Sequence, residues 1–222
     1  MSTIKAWHFA ANNKKLMYDD NRPVRRNVRY FARPKGNELE LRRHGMHGSK
    51  NILDALQWAP GNVITWCEFG GQIIQDDDKL VAEWRKPLWV YDATELLLEF
   101  TRWCALQVSH LWECPDVVKQ FLETGDKTLR EKANRATRIG INTDTIYSRA
   151  ARAATMRACI GGIYTYACNA NATYAFSDAI DAFSDAFAAT IYARNAVDVA
   201  NEMKIKQEQK LIEMLTSVGW EK

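Results

Sequence analysis

Between residues 151 and 200 small side chains recur at alternating spacings of three and four, starting Ala151, Ala154, Ala158, Gly161, Thr165, Cys168 and Ala172. The series runs on through Ala175, Ala179, Ala182, Ala186, Ala189, Ala193, Ala196 and Ala200 without a slip. Such spacing keeps all these positions on one face of a helix. Two near-identical heptads, AFSDAID at 175–181 and AFSDAFA at 182–188, repeat it in the letters. Small residues along a seam let helix backbones approach closely, and alanine is the best intrinsic helix former. The stretch therefore predicts closely packed helices. The seam is satisfied either by the helices expected at 93–138 or by a second copy of the chain, with Ala175, Ala179, Ala182, Ala186, Ala189 and Ala193 as the oligomer seam. Gly161-Gly162 and the asparagines at 169 and 171 predict breaks, giving two or three helices rather than one rod.

The chain before residue 91 reads differently. Residues 4–10 predict a strand, Asn12-Asn13 a turn, and 14–18 a returning strand. Alternating segments at 24–32 and 38–43 predict two more strands. Ser49 reads as the N-cap of a helix carrying Ile52, Leu53, Leu56 and Trp58, stopped at Pro60-Gly61. Residues 63–69 predict a buried strand continuing past a bulge at Gly70-Gly71, and 80–91 a strand interrupted at Pro87. From 92 onward every segment reads as helix: 93–112, 115–123, 127–138, the alanine seam (capped by residues 142–145) and an amphipathic 202–220. Strands first and helices afterwards predict an α+β protein. A small twisted sheet with one helix, at 1–91, precedes an Ala-rich helical bundle at 92–222.

Composition bounds the function classes. A net charge of +3 over 222 residues does not by itself point to nucleic acid. Its distribution is more telling: Arg22, Arg25, Arg26, Arg29, Arg33, Lys35, Arg42 and Arg43 crowd one stretch, with Tyr30 and Phe31 between them. Basic groups contact phosphates and aromatics stack on bases, so this run suits either a nucleic acid or an acidic protein partner. Eight tryptophans call for a packed core or an aromatic-lined groove. Five cysteines without a CxxC, and four histidines away from paired cysteines, predict reduced thiols and no zinc site. No run is long and apolar enough to span a membrane and no leader is evident, which predicts a cytoplasmic protein. There is no Walker loop, GxGxxG or GxSxG elbow, so neither a resident nucleotide cofactor nor a metal is expected.

Gly45-Met46-His47-Gly48-Ser49, Asp54-Ala55-Leu56, Ala59-Pro60-Gly61, Gly71-Gln72-Ile73-Ile74 and Asp78-Lys79-Leu80-Val81-Ala82 follow one another, with Trp103-Cys104 beyond them. This resembles a family found in bacteriophage and prophage genomes, whose members pair a G-x-H-x-S…D-A-L-x-Y-A-P-G core with an Ala-rich helical tail. The match covers residues 40–110, with Trp58 where the family often has Tyr and Gly48 where Ala is usual. The resemblance implies a phage-encoded accessory protein acting in the cytoplasm of a host bacterium. A more remote similarity is to ADP-ribosyltransferase folds, through Trp7-His8-Phe9, Gly45 to Ser49 and Glu83. It implies His8 on a ribose and Glu83 stabilising the cationic sugar centre that forms as nicotinamide leaves.

His44 and His47, beside Ser49 at a helix start, are candidate ligand-binding residues, since a helix N-terminus favours an anion. The plainer alternative is that the two glycines make a tight turn, Ser49 caps, and His47 packs under the helix. His8, His47 and Glu83 are the candidate catalytic set; the plainer reading of Glu83 is a solvated strand face. Arg22, Arg25, Arg26, Arg29, Arg42 and Arg43 are candidate partner or phosphate contacts. Together these readings predict a non-enzymatic phage accessory protein that binds a host bacterial protein, in host takeover or inhibition of antiviral defence. The alternatives are a nucleotide-binding or transferase-like protein for an NAD-derived ligand, and a nucleic-acid-binding protein.

Overall fold

The computed structural model describes residues 3–17, 21–32, 38–138, 146–160 and 197–221. The chain divides into two compact units, Met1–Ala93 and Thr94–Lys222. The first holds an antiparallel sheet and one helix, and the described residues of the second form helices, so the protein is α+β.

The sheet is built on two long strands, β4 (Val63–Gln75) and β5 (Leu80–Asp92). β1 (Ile4–Ala10) pairs with β4 along its whole length. The free edge of β5 is shared by β2 (Tyr30–Phe31) and β3 (Met46–Gly48). Side chains alternate between the two faces of a strand. One face gathers Ala6, Ala10, Val63, Cys67, Phe69, Leu80 and Ala82 into a buried cluster closed by Leu16, Val24, Tyr30 and Met46. Helix α1 (Ile52–Gln57) buries Ile52, Leu53, Ala55 and Leu56 and packs against β1.

Four local expectations are corrected. The returning strand at 14–18 is absent through its described part, because Lys14 adopts φ 56° and residues 14–16 pair locally with 22–24. The strand at 24–32 shrinks to Tyr30–Phe31, because Asn27 at φ 63° turns the chain and donates its N–H to the Pro87 carbonyl at 2.7 Å. Residues 38–43 form no strand: Arg42 at φ 66° lies in a turn closed by paired backbone bonds between Glu40 and His44. β5 runs unbroken through Pro87, where a register shift between Trp66 and Cys67 absorbs the missing donor. The bulge expected at Gly70-Gly71 is present as a second register shift between Gly70 and Ile73.

In the second unit, α2 (Thr94–Val108) is followed by a short 3-10 turn at Ser109–Leu111. α3 (Asp116–Thr124) ends on Gly125 in the left-handed conformation, and α4 (Arg130–Ala136) follows. α5 (Ile146–Ile160) packs on α2, α3 and α4, and α6 (Val197–Ser217) packs on α2. Ala151, Ala154 and Ala158, the first three seam positions, are all buried on α5. That part of the seam is covered by helices of its own chain. The oligomer-seam alanines 175 to 193, the breaks at 161–162 and 169–171, and the cap at 142–145 lie outside the described residues. Leu211 and Leu215 anchor α6, while Ile205 faces outward.

Candidate anion-binding site

A cavity of about 350 Å³ opens in the first unit. Its walls come from β1, from the turn and β3 between Arg42 and Ser49, from α1 and the residues just after it, and from β5. The chain brings β1 and β3 side by side through one bridge. Trp7 N–H donates to the Ser49 carbonyl at 2.8 Å, and Ser49 N–H to the Trp7 carbonyl at 2.9 Å. This is why His8 and His47, far apart in sequence, line the same cavity.

Ser49 is thus a buried bridge residue and does not cap the helix. Asn51 is the cap: its side-chain oxygen accepts from Leu53 N–H at 2.7 Å. Gly45, at φ 128°, is required on two counts, because a Cβ there would also lie 2.2 Å from Val81 Cγ2. The turn and β3 are therefore laid directly on β5.

The electrostatics of the cavity are one-sided. Lys15, Arg42, Arg43, Lys79 and Arg85 line it together with His8, His44 and His47. Among the described residues that line it there is no Asp or Glu. Arg85 is only 4% exposed, yet sits in a sheet strand, and its Nη1 donates to the His47 carbonyl at 2.9 Å. At the rim, Trp58 is half-exposed; Lys79 Nζ stands 3.6 Å from its ring centroid and Arg42 5.8 Å. The Trp58 indole N–H donates to Asp78 at 3.3 Å, and Asp78 also pairs with Arg42 at 3.2 Å. Burial lowers the Lys79 pKa, with the Arg42 charge adding to that and Asp78 opposing it.

The histidines differ in their attachments. His47 Nε2 accepts from Arg42 N–H at 3.0 Å, which ties the ring to the turn. Burial first, then the Lys79 and Arg85 charges, lowers His47 to about 4, against the carbonyls of Glu40 and Gly45, which favour protonation. His8 is held well below its ordinary 6.5 by burial first, then by Arg85 and His47. Both rings are therefore neutral at neutral pH, as desolvation among cations requires.

Glu83 is exposed and is not among the residues lining the cavity. The structure brings His8 and His47 together without it, and among the described residues lining the cavity there is no other carboxylate. Of the basic candidates, Arg42 and Arg43 line the cavity. Arg25, Arg26 and Arg29 are exposed; Arg29 lies over the Trp84 ring at 4.1 Å, and Arg22 donates to the Phe31 carbonyl at 2.8 Å. Arg33 and Lys35 lie outside the described residues. Sequence reading missed Lys15, Trp58, Lys79 and Arg85 as site residues. The available signal for Arg85 was a charged residue inside a strand that is otherwise largely apolar.

Cys67, Cys104, Cys114 and Cys159 are buried free thiols, and Cys168 lies outside the described residues. Among the described residues no group of three His, Cys, Asp or Glu is arranged to hold a metal. No helix among them is long and apolar enough to cross a membrane. Comparison with family models, curated proteins and solved structures finds no match to this chain.

Proposed function

We propose that the first unit binds a small phosphate-bearing ligand of the nucleotide class, acting as a binding or sequestering protein. The observation that supports this reading is the cavity itself: five cationic side chains converge on it, and no carboxylate lines it among the described residues. Its volume of about 350 Å³ lies within the roughly 300–1,000 Å³ usual for small-molecule sites. Clustered cations in a recess raise the local concentration of anions, and the half-exposed Trp58 ring stands at the rim, where it can pack on a base. The absence of Glu83 from the lining favours binding over glycosyl transfer. In the setting implied by the phage-family resemblance, the host component bound would be a nucleotide or an NAD-derived molecule.

The test is calorimetric titration of the full chain with AMP, ADP, ADP-ribose and NAD at two salt concentrations, with Arg85→Met as control. Binding that weakens with salt and is lost in the variant is expected. No heat from any of the four would refute the reading.

A second reading, docking of a host protein or nucleic acid, is supported by the exposed Arg25, Arg26 and Arg29 beside Val28 and Phe31, the last 53% exposed. Replacing the three arginines with Ser would abolish that interaction while leaving nucleotide binding intact.

A further inference from the structure

Every charged group lining the cavity is a donor, so a cavity of this kind would accept any polyanion of suitable size. His8 departs from that pattern. It lies on the core face of β1 between Ala6 and Ala10, directly opposite Thr65 of β4. Its Nδ1 is 3.3 Å from Thr65 Oγ1. The direction of that bond follows from the other two made by the same hydroxyl. Thr65 Oγ1 donates its single proton to the His8 carbonyl at 2.8 Å. It also accepts the Cys67 S–H at 3.2 Å. Burial pushes the Cys67 thiol up to about 11, with Arg85 and Thr65 pulling it back, so the sulfur keeps its proton at neutral pH. A hydroxyl has one proton and two lone pairs. Its proton is committed, so toward His8 it can only accept, and the imidazole proton resides on Nδ1. In a neutral ring that leaves Nε2 as a bare lone pair. Among the described residues nothing hydrogen-bonds Nε2, and His8 lines the cavity.

We infer that His8 is a specificity-determining residue of this cavity, its Nε2 accepting a hydrogen bond from a hydroxyl of the ligand. The ligand is then a phosphorylated sugar or a ribonucleotide rather than an anion lacking a hydroxyl donor. The inference rests on the anion-binding reading and sharpens it. A site built to bond a ligand hydroxyl rejects the analogue without one, because the protein's polar group is left unpaired.

Two measurements test it on the full chain. Long-range proton–nitrogen correlation spectra of the ligand-free protein, with labelled histidine, read the tautomer directly. A proton on Nδ1 of His8 is expected, and a proton on Nε2 overturns the assignment whatever the cavity binds. Titration with AMP and with 2′,3′-dideoxy-AMP reads the selectivity. Loss of the hydroxyls should weaken binding about 10-fold or more in the wild type. The gap should close in His8→Phe, and the wild-type comparison decides the matter if that variant does not fold. Equal affinity for the two ligands in the wild type overturns the inference while leaving the cavity an anion site. Binding of neither ligand overturns the inference, and the nucleotide reading falls with it only if ADP, ADP-ribose and NAD also give no heat.

Discussion

Arg85 Nη1 donates a 2.9 Å hydrogen bond to the backbone carbonyl of His47, so one buried guanidinium both ties β5 to β3 and borders the cavity. Replacing Arg85 with Met keeps much of the side-chain bulk and removes the charge. The His47 carbonyl then loses a charged donor in a partly buried setting. The full chain should be destabilised by about 1–3 kcal/mol. Urea unfolding followed by tryptophan fluorescence would show this as a lower midpoint, and an unchanged midpoint would contradict the structural role assigned to Arg85.

Asp78 pulls in the opposite direction. It pairs with Arg42 at 3.2 Å and accepts from Trp58 at 3.3 Å, holding both at the rim. Exposed pairs of this kind contribute only about 0.2–1 kcal/mol, so Asp78→Asn should leave stability nearly unchanged. With one of its two carboxylates neutralised and only Asp76 left at 3.7 Å, Arg42 should raise affinity for an anion about 2- to 5-fold, again on that scale of interaction. Titration of the variant with ADP checks this, and weaker binding would mean that Asp78 supports the site rather than competing with its ligand.

The buried histidines give stability a pH dependence of definite sign. His47 falls from its ordinary 6.5 to about 4, and His8 shifts in the same direction. Between those limits the unfolded chain binds more protons than the folded one. The stability contributed by the neutral rings is therefore complete above pH 6.5 and is lost progressively as pH falls toward 4. Melting temperature should drop across that window. His47→Gln, whose amide oxygen can still accept from Arg42 N–H, should flatten the drop. A profile as steep as the wild type's would show that His47 does not titrate as described.

On α5, Ala154 is fully buried against helices of its own chain. Leucine at this position adds three carbons where the helices meet. Overpacking should cost about 1–3 kcal/mol. Thermal unfolding of Ala154→Leu should report it, with sedimentation showing the same oligomeric state as wild type. A change of oligomeric state with stability preserved would instead place this end of the seam at an interface between copies.

Much of the fold was legible because its signals are local. Residues 63–75 and 80–92 are rich in β-branched and aromatic residues and are bounded by polar turns, which is enough to mark the two long strands. Pro115 and Gly125 bracket α3 where helix-start and helix-stop chemistry puts them. The errors fall where tertiary contacts override a local pattern. Residues 24–32 and 38–43 alternate like strands, but Asn27 and Arg42 take left-handed conformations to bring their neighbours against β5. Ser49 resembles a cap until Trp7 claims its backbone, and Asn51 takes over that role.

The sequence alone determined the division into a strand-rich first part and a helical second part, and it singled out His8, His44 and His47 as candidates. Periodicity and turn chemistry operate within a few residues, so they are visible in the letters. Only the tertiary structure decided that His8 and His47 line one cavity, that Arg85 and Lys79 join them, and that Glu83 does not. Those facts depend on which strands pair and in what register, and a one-residue shift in register turns a side chain from one face of the sheet to the other. The tautomer of His8 lies deeper still, in how a single Thr65 hydroxyl divides one proton and two lone pairs among three partners.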